Sequence, residues 1–569
     1  MFRASQKLET TQRIEKMQKQ FADLATVLYR PHENEIHLAV SGDRLLSLTD
    51  RLQRESFYPV TMVANDEREL EDACFKIYFL FSHSNLDIFA IVEYALPPEE
   101  TKYPSLRPIF PGISVFEREI GDMMGLFPTN PALSTTERGH WLHPNCYPAD
   151  LFPLRRDRST PLLQSAVYRY RQLSPAPMPE PPSPADGEWT LTVGPIHAAT
   201  IEPGRFTFQL AGESVEDFSI LLGYTHKGIE RLFQIGYHLN DGWQLAERIV
   251  GDTAYAHSLA YCRAIERLAG VRVPVAAAIW RGVFLELERM TNHFNDCAGM
   301  AADVSLHTVA NELLVAREKL LRLNKRLTGH RWLRGINRPG GVLLPKPPGE
   351  SGVQDILRTV REAIAQCSTL GIQLVQKSGF RDRAIGIGVL LKEDAQKWSG
   401  GFVTRASGVH RDFRRQHPCG VYRSPQMQAI MEKYNLAEKD AAGDVFSRFY
   451  LRMVEAKASA EIISQLLTEM PTEAMNGAIF LTDIDYSAIQ NFEFSMGYAS
   501  GWRGDIIYWL MKDKFANIYR CKVCDPSTLN WQAMQVAIQN SARTGTPLSI
   551  ADFPLVNKSF NLSYSGNDL

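Results

Sequence analysis

The chain has 569 residues, 44% of them apolar, and its 62 basic and 64 acidic side chains leave a net charge of −2. That length exceeds one ordinary hydrophobic core, so two or more domains are expected. The charge balance removes the electrostatic case for nucleic acid as a partner and leaves a protein surface or a small molecule.

The first twenty residues, MFRASQKLETTQRIEKMQKQ, are polar and mixed in charge, and no run of about 18 apolar residues occurs anywhere, so neither a secretory leader nor a membrane span is expected. Eight scattered cysteines suit a reducing compartment better than a disulfide framework. Strand-like runs at Glu35 to Val40, Thr61 to Ala64, Phe75 to Phe81 and Leu86 to Tyr94 indicate a small α+β domain over residues 1–171. It ends in a proline-punctuated motif with a charged helix from Phe116 to Met124 that stops at Gly125. Glu117, Arg118, Glu119 and Asp122 stand at ion-pair spacing there, as on a solvated face. QLSPAPMPEPPSPADG, residues 172–187, is too proline-rich for helix or sheet interior and reads as an extended linker.

Residues 188–569 open with strand-like sequence from Trp189 to Leu210 and continue as helix after helix. Apolar residues recur three and four apart in Pro274 to Met300, Asp303 to Leu327, Val353 to Leu374 and Asp444 to Met470, which predicts a bundle with its sites between facing helices. Ile479 to Tyr508 alternates more like strands. The fold class is therefore α+β: a small N-terminal α/β domain, the linker, and a large domain built on a long-helix bundle with peripheral β-strands.

Candidate chemistry is sparse. Tyr255, Leu259, Cys262, Ile265 and Leu268 lie on one helical face, with Asp252 or Thr253 as N-cap and Gly270 past the C-terminus. Cys521 and Cys524 form half of a four-ligand site, with no second CxxC to complete it. Glycine-rich phosphate loops, a serine nucleophile elbow and an HExxH helix are missing. GPIHAATIEPGRF carries His197, Glu202 and Arg205, and GYTHKGIERL carries His226, Lys227, Glu230 and Arg231; each reads as a cleft lining or as a satisfied polar turn. RASGVHRDFRRQHPCGVY crowds Arg405, Arg411, Arg414, Arg415 and Asp412 into an expected loop, a salt-bridged clamp on the bundle.

Together these motifs resemble a known family. YPSLRPIFPGISVFEREIGDMMGL, from Tyr103, resembles the small peripheral-arm subunit of complex I with its EREhxDhhGh signature. GPIH, GYTHKGIE, LAYCRAIERLAGVRVP, FLELERMTNH, RASGVHRDFRRQHP and WRGDIIYWL resemble the adjoining large subunit of complex I and of group 4 membrane-bound nickel–iron hydrogenases. The fused order resembles the large subunits of formate hydrogenlyase and hydrogenase-4, over nearly the whole chain after about residue 35.

The resemblance makes demands that can be checked residue by residue. Hydrogenase members hold nickel and iron with two CxxC pairs; aligned on Ala256-His257-Ser258 the first pair falls on Val250 and Thr253, and aligned on Pro554-Leu555 and Tyr564 the second falls on Ser563 and Gly566. None is a thiol, so no metal is expected on this chain. Complex I members contact the quinone head group through a histidine and a tyrosine whose positions here are Ile201 and Gly251, neither offering a side-chain donor.

The resemblance thus implies a peripheral subunit of an ion-translocating respiratory oxidoreductase complex, on the cytoplasmic face of the inner (cell) membrane. Its implied partners are an iron–sulfur small subunit carrying the proximal cluster, a ferredoxin-like subunit and antiporter-like membrane subunits. The chain itself is expected to bind no cofactor; the iron–sulfur cluster belongs to a partner, and quinone and NAD binding to the complex. The implied cleft residues are Asp252, His257, Glu202 and Glu230 as catalytic candidates and His197, His226, Thr253 and Ser563 as cofactor contacts, with Arg405 and Asp412 as the clamp. Asp252 places a carboxylate beside a vacated ligand position, where burial would raise its pKa and suit it to proton relay, or else it caps the helix. Two other readings stay open: reduction of a quinone or other small acceptor in a remodelled cleft, and a non-catalytic scaffold.

Overall fold

The computed structural model describes residues 2–28, 32, 34–129, 151–173, 183–198, 201–398, 400–543 and 548–569. The chain divides into two compact units, one of residues 1–181 with 221–226 and 568, the other of 182–220, 227–567 and 569. Much of the expected linker, residues 174–182, lies outside the described residues.

In the first unit, helix α1 (Phe2–Phe21) precedes a mixed sheet of β1 (Thr26–Leu28), β2 (Glu35–Val40), β3 (Phe57–Glu67), β4 (Cys74–His83) and β5 (Phe89–Leu96), with α2 (Leu45–Arg54) between β2 and β3. The strand order is β1-β2-β5-β4-β3; β2 and β5 pair in parallel and the other neighbours antiparallel. β4 is buried along almost its whole length, which is why its sequence reads as a continuous apolar run rather than an alternating one. A short parallel pair, β6 (Lys102–Pro104) and β7 (Phe127–Thr129), brackets α3 (Ser114–Met124).

Helix α3 corrects the expectation of a solvated face. Glu117 is 1% exposed and accepts hydrogen bonds from the Leu106 amide (2.9 Å) and the Ser105 hydroxyl (3.0 Å), and Glu119 is buried as well. Burial pushes the Glu117 carboxyl up to about 7 against those two donors. Gly125 closes the helix at φ +66°, where a Cβ would stand 2.6 Å from the Phe152 ring. Helix α4 (Thr160–Leu173) ends the described part of residues 1–181.

The second unit begins with the sheet β8 (Trp189–Val193), β9 (Arg205–Ala211) and β10 (Ser214–Leu221), then α5 (Ile229–Gly236) and the single turn α6 (Trp243–Ala246). Its framework is α7 (Ala254–Leu268), α8 (Val275–Asp303), α9 (His307–Thr328) and, beyond the two short strands β11 (Asn337–Arg338) and β12 (Gly341–Leu343), α10 (Gly349–Gln376). Five short helices follow: α11 (Ser378–Ala384), α12 (Lys392–Trp398), α13 (Gly401–Ala406), α14 (Phe413–Gln416) and α15 (Pro425–Lys433). The segment expected as an arginine-rich loop is in part helical, holding the end of α13 and the single turn α14. Helix α16 (Val445–Thr468) is N-capped by Asp444, which accepts from the Ser447 amide. The single turn α17 (Thr472–Asn476) leads to β13 (Ile479–Leu481), which pairs with β12. The antiparallel meander β14 (Phe494–Ser500), β15 (Asp505–Lys512) and β16 (Ile518–Cys524) precedes α18 (Ser527–Arg543), α19 (Phe553–Phe560) and α20 (Tyr564–Asn567).

Helix α8 departs from the single apolar stripe its spacing predicts. Ile279, Val283, Leu287, Met290 and Phe294 are buried, and so are Arg281, Glu286, Glu288, Arg289 and Asp296. It is a central helix covered on all sides.

Helix α7 packs directly on β14 through Gly497, where a Cβ would lie 2.7 Å from Ala264 Cα. Backbone on both sides cannot give way, so Gly497→Ala is expected to cost about 1–3 kcal/mol of overpacking. A calorimetric scan checks this: the midpoint should fall by several degrees, and an unchanged midpoint would refute the close approach.

Candidate functional site

The turn Val250-Gly251-Asp252-Thr253 leads into α7. Thr253 is the N-cap but its side chain makes no capping bond. The orphan amides are taken instead by Glu288 of α8, whose carboxylate accepts from Tyr255 N (2.7 Å) and Ala256 N (3.1 Å). Burial pushes Glu288 up to about 8, the two amides pull it down, and the charge of Asp252 adds to the rise.

Asp252 is therefore not the cap. Its carboxylate takes a two-pronged ion pair from Arg503, Nη1 to Oδ1 at 2.6 Å and Nη2 to Oδ2 at 2.9 Å, and its carbonyl accepts from Asn292 Nδ2 at 2.8 Å. Thr253 Oγ1 donates to Asp252 Oδ1 (3.0 Å) and accepts from Trp502 Nε1 (3.1 Å) and Arg503 Nη1 (3.0 Å). Arg503 Nε reaches the Asn561 carbonyl at 2.6 Å. The carboxylate is 32% exposed and the guanidinium 5%. Asp252, expected as a buried acid, is instead partly exposed and held in a fixed, charge-assisted pair.

The second ligand-position segment closes on itself. Ser563 Oγ accepts from Gly566 N (2.9 Å), Ser563 N donates to Ser527 Oγ (3.0 Å), and Trp531 Nε1 donates to the Ser563 carbonyl (3.1 Å). At Gly566 a Cβ would stand 2.7 Å from the Asp525 carboxyl carbon. Val250 and Thr253 are buried, and neither turn supplies sulfur. The residues present do not fit a thiolate-held metal pair.

His257 is fully buried with both ring nitrogens engaged, Nε2 with Asp525 Oδ2 (3.1 Å) and Nδ1 with the Tyr508 hydroxyl (3.0 Å). It braces the site from behind rather than facing a ligand. Burial pushes Asp525 up, but the His257 bond, the nearby Arg503 charge and Ser527 hold it below its usual range. Glu202 is exposed and accepts from Ser565 N at 3.4 Å; half-buried His197 bonds the Gly204 carbonyl at 2.6 Å, closing its own loop.

Other candidates fall elsewhere. Glu230 is buried and accepts from Arg520 Nη1 (2.6 Å), Lys522 Nζ (3.1 Å) and Val523 N (3.1 Å), so it fastens α5 to β16 instead of lining a cleft. His226 belongs to the first unit, where Nδ1 pairs with the Asp568 carbonyl at 3.1 Å. Arg405 binds Glu455 through Nε (3.0 Å) and Nη2 (2.6 Å) and stands 3.8 Å from Asp412, which caps α14 and pairs with Arg414 at 2.7 Å. Glu455 also meets His293 Nε2 at 2.9 Å, and the His293 ring stands edge-on to Trp502 at 6.3 Å. Cys521 and Cys524 sit three apart on β16, so their side chains leave opposite faces and cannot share a metal.

The structure thus gathers Asp252, Thr253, His257, Ser563 and Glu202, and adds Arg503, Asp525, Trp502 and Glu288. One signal for Arg503 was present, a lone arginine between Trp502 and Gly504 at the head of an apolar strand. Glu288 lies in the FLELERMTNH tract, but its spacing on α8 is that of any helix-face acid and singled it out for no role.

Glu288 takes up a proton in the folded state at about 8 but only near 4.5 when unfolded, so its contribution to stability falls as pH rises through that window. Glu288→Gln removes this titration. Thermal midpoints between about pH 5 and pH 8 should decline less steeply in the variant than in the parent; an equal or steeper decline would contradict the assignment.

Comparison with known proteins agrees with this architecture. Residues 38–161 match the family of the respiratory-chain NADH dehydrogenase 30 Kd subunit, and residues 303–496 that of its 49 Kd subunit. Formate hydrogenlyase subunit 5 of Escherichia coli (strain K12) is 27% identical over 526 residues, 89% of this chain and 84% of the relative. Hydrogenase-4 component G of the same strain is 27% identical over 523 residues, 91% and 84%. The NADH-ubiquinone oxidoreductase 49 kDa subunit of Reclinomonas americana is 26% identical over 367 residues, 61% and 90%. A chain of the archaeal membrane-bound sulfane sulfur reductase shares the fold, with a TM-score of 0.57 and 23% identity over 68% of this chain and 99% of that one. The chain is a fusion of a 30-kDa-type and a 49-kDa-type domain of complex I, homologous to formate hydrogenlyase subunit 5, hydrogenase-4 component G and the 49 kDa subunit of NADH-ubiquinone oxidoreductase.

Proposed function

We propose that this chain is a peripheral subunit of a membrane-bound respiratory oxidoreductase complex, forming one wall of the cleft beside an iron–sulfur cluster held by a partner, and that it works without a nickel–iron centre. The observation that carries this reading is the fusion itself: both domain families lie in one chain that spans 84% of two relatives named as parts of formate hydrogenlyase and hydrogenase-4. Among the described residues no helix is long and apolar enough to cross a membrane, and in this reading partners attach the chain there. Those partners are an iron–sulfur small subunit, a ferredoxin-like subunit and antiporter-like membrane subunits, with the chain on the cytoplasmic face and ion movement coupled through them.

The side chains at the ligand positions support the part without nickel. Thr253 and Ser563 spend their hydroxyls on internal hydrogen bonds, and Val250 and Gly566 have none to offer. A remodelled acceptor site is the second reading, favoured only by the solvent-reaching carboxylates of Asp252 and Glu202.

An affinity-tagged chain, isolated from membranes of its own host in mild detergent, tests the assignment. It should bring down an iron–sulfur subunit with the electron paramagnetic resonance signal of its reduced cluster, together with membrane subunits. Recovery of the chain alone, free of iron, would overturn the reading.

A further inference from the structure

The resemblance to nickel–iron hydrogenases implies that a metal centre there would tie the turn before α7 to the C-terminal segment, two stretches more than 300 residues apart in this sequence. Here neither turn holds a thiol, yet the two remain joined. Arg503 spans them: two nitrogens grip Asp252, Nη1 also reaches Thr253 Oγ1, and Nε binds the Asn561 carbonyl. The guanidinium's planar fork suits this, since its five donors lie in fixed directions and it stays charged when buried. Gly504, at φ +147°, packs against Gly401, with a Cβ there 2.8 Å from Gly401 Cα, which fixes the backbone that carries Arg503. The Trp502 indole stacks against the guanidinium at 4.0 Å and closes one side.

We infer that Arg503 and Asp252 form a cross-link that takes over the mechanical part of a metal centre this chain does not have, holding the 250–253 turn against the 561–566 segment. The inference rests on the alignment of Val250, Thr253, Ser563 and Gly566 with metal-ligand positions, and on the absence of thiolate there. It does not depend on which partners the chain has. Only the Arg503 guanidinium is buried, so removing the Asp252 charge leaves that cation without its anion, whereas water can reach the Asp252 carboxylate.

Hydrogen–deuterium exchange on the purified full chain tests the cross-link. Arg503→Met is expected to raise exchange at least about tenfold in peptides spanning residues 248–256 and 557–569, while peptides of β4 and β5 in the first unit stay protected. Asp252→Asn, a milder change, should raise exchange in the same two peptides. The double variant should exchange no faster than Arg503→Met alone, because one interaction is lost only once. Parent-like exchange in both peptides of Asp252→Asn, or additive effects in the double variant, would overturn the inference even if Arg503→Met fails to fold. Failure of the chain to co-purify with an iron–sulfur partner would leave these exchange results unaffected, so the two readings fail separately.

Discussion

Burying charge on α8 is the constraint on which the second unit depends. A polar or charged side chain at the centre of a bundle is tolerated when it is paired and hydrogen-bonded, and removing its partner is costly. Arg281 is met by Glu266 of α7 at 2.6 Å, and Glu286 by Arg289, Ser459, Tyr422 and, at 3.5 Å, Arg414. Glu288 takes the first amides of α7, and Asp296 takes Arg452 of α16 at 2.7 Å together with Asn561. Each match pulls a different element onto α8: α7, α16, the turns around Arg414 and the C-terminal segment. The apolar contacts fill the space between, but the polar matches set the register.

That constraint also positions the candidate site. Glu288 fixes the start of α7, Asn292 one turn further along α8 binds the Asp252 carbonyl, and Asn561 hangs from Asp296 while offering its carbonyl to Arg503. The 250–253 turn and the C-terminal segment are therefore both suspended from the same helix. Arg503 closes the gap between them. The resulting group is largely self-satisfied, which suits a wall that shapes a neighbour's cofactor environment more than a pocket that receives a substrate.

The long helices were legible in the sequence because burial imposes a period that residue types cannot hide: the apolar steps from Pro274 and from Asp444 appear as α8 and α16 with only small shifts at their ends. The charged residues of α3 were misread as a solvated face, and those of α8 drew no reading at all. Periodicity reports which face is apolar, and only tertiary pairing reveals that the opposite face of α8, or Glu117 on α3, is buried as well. The site was half legible. The alignment picked out the 250–253 turn and the 563–566 segment, which Arg503 links through Asp252 and the nearby Asn561 carbonyl, while Glu230 and His257 are engaged by Arg520, Lys522 and Asp525, partners about 270 to 290 residues away in the chain that no local pattern signals.

Where the hydrogenases it resembles would hold a metal between two turns, this chain is proposed to hold an ion pair instead. Metal analysis of the complex isolated from its own host tests it most directly. The account predicts iron in the amount a partner's iron–sulfur clusters require and only trace nickel. Stoichiometric nickel retained by this chain after dialysis would contradict it.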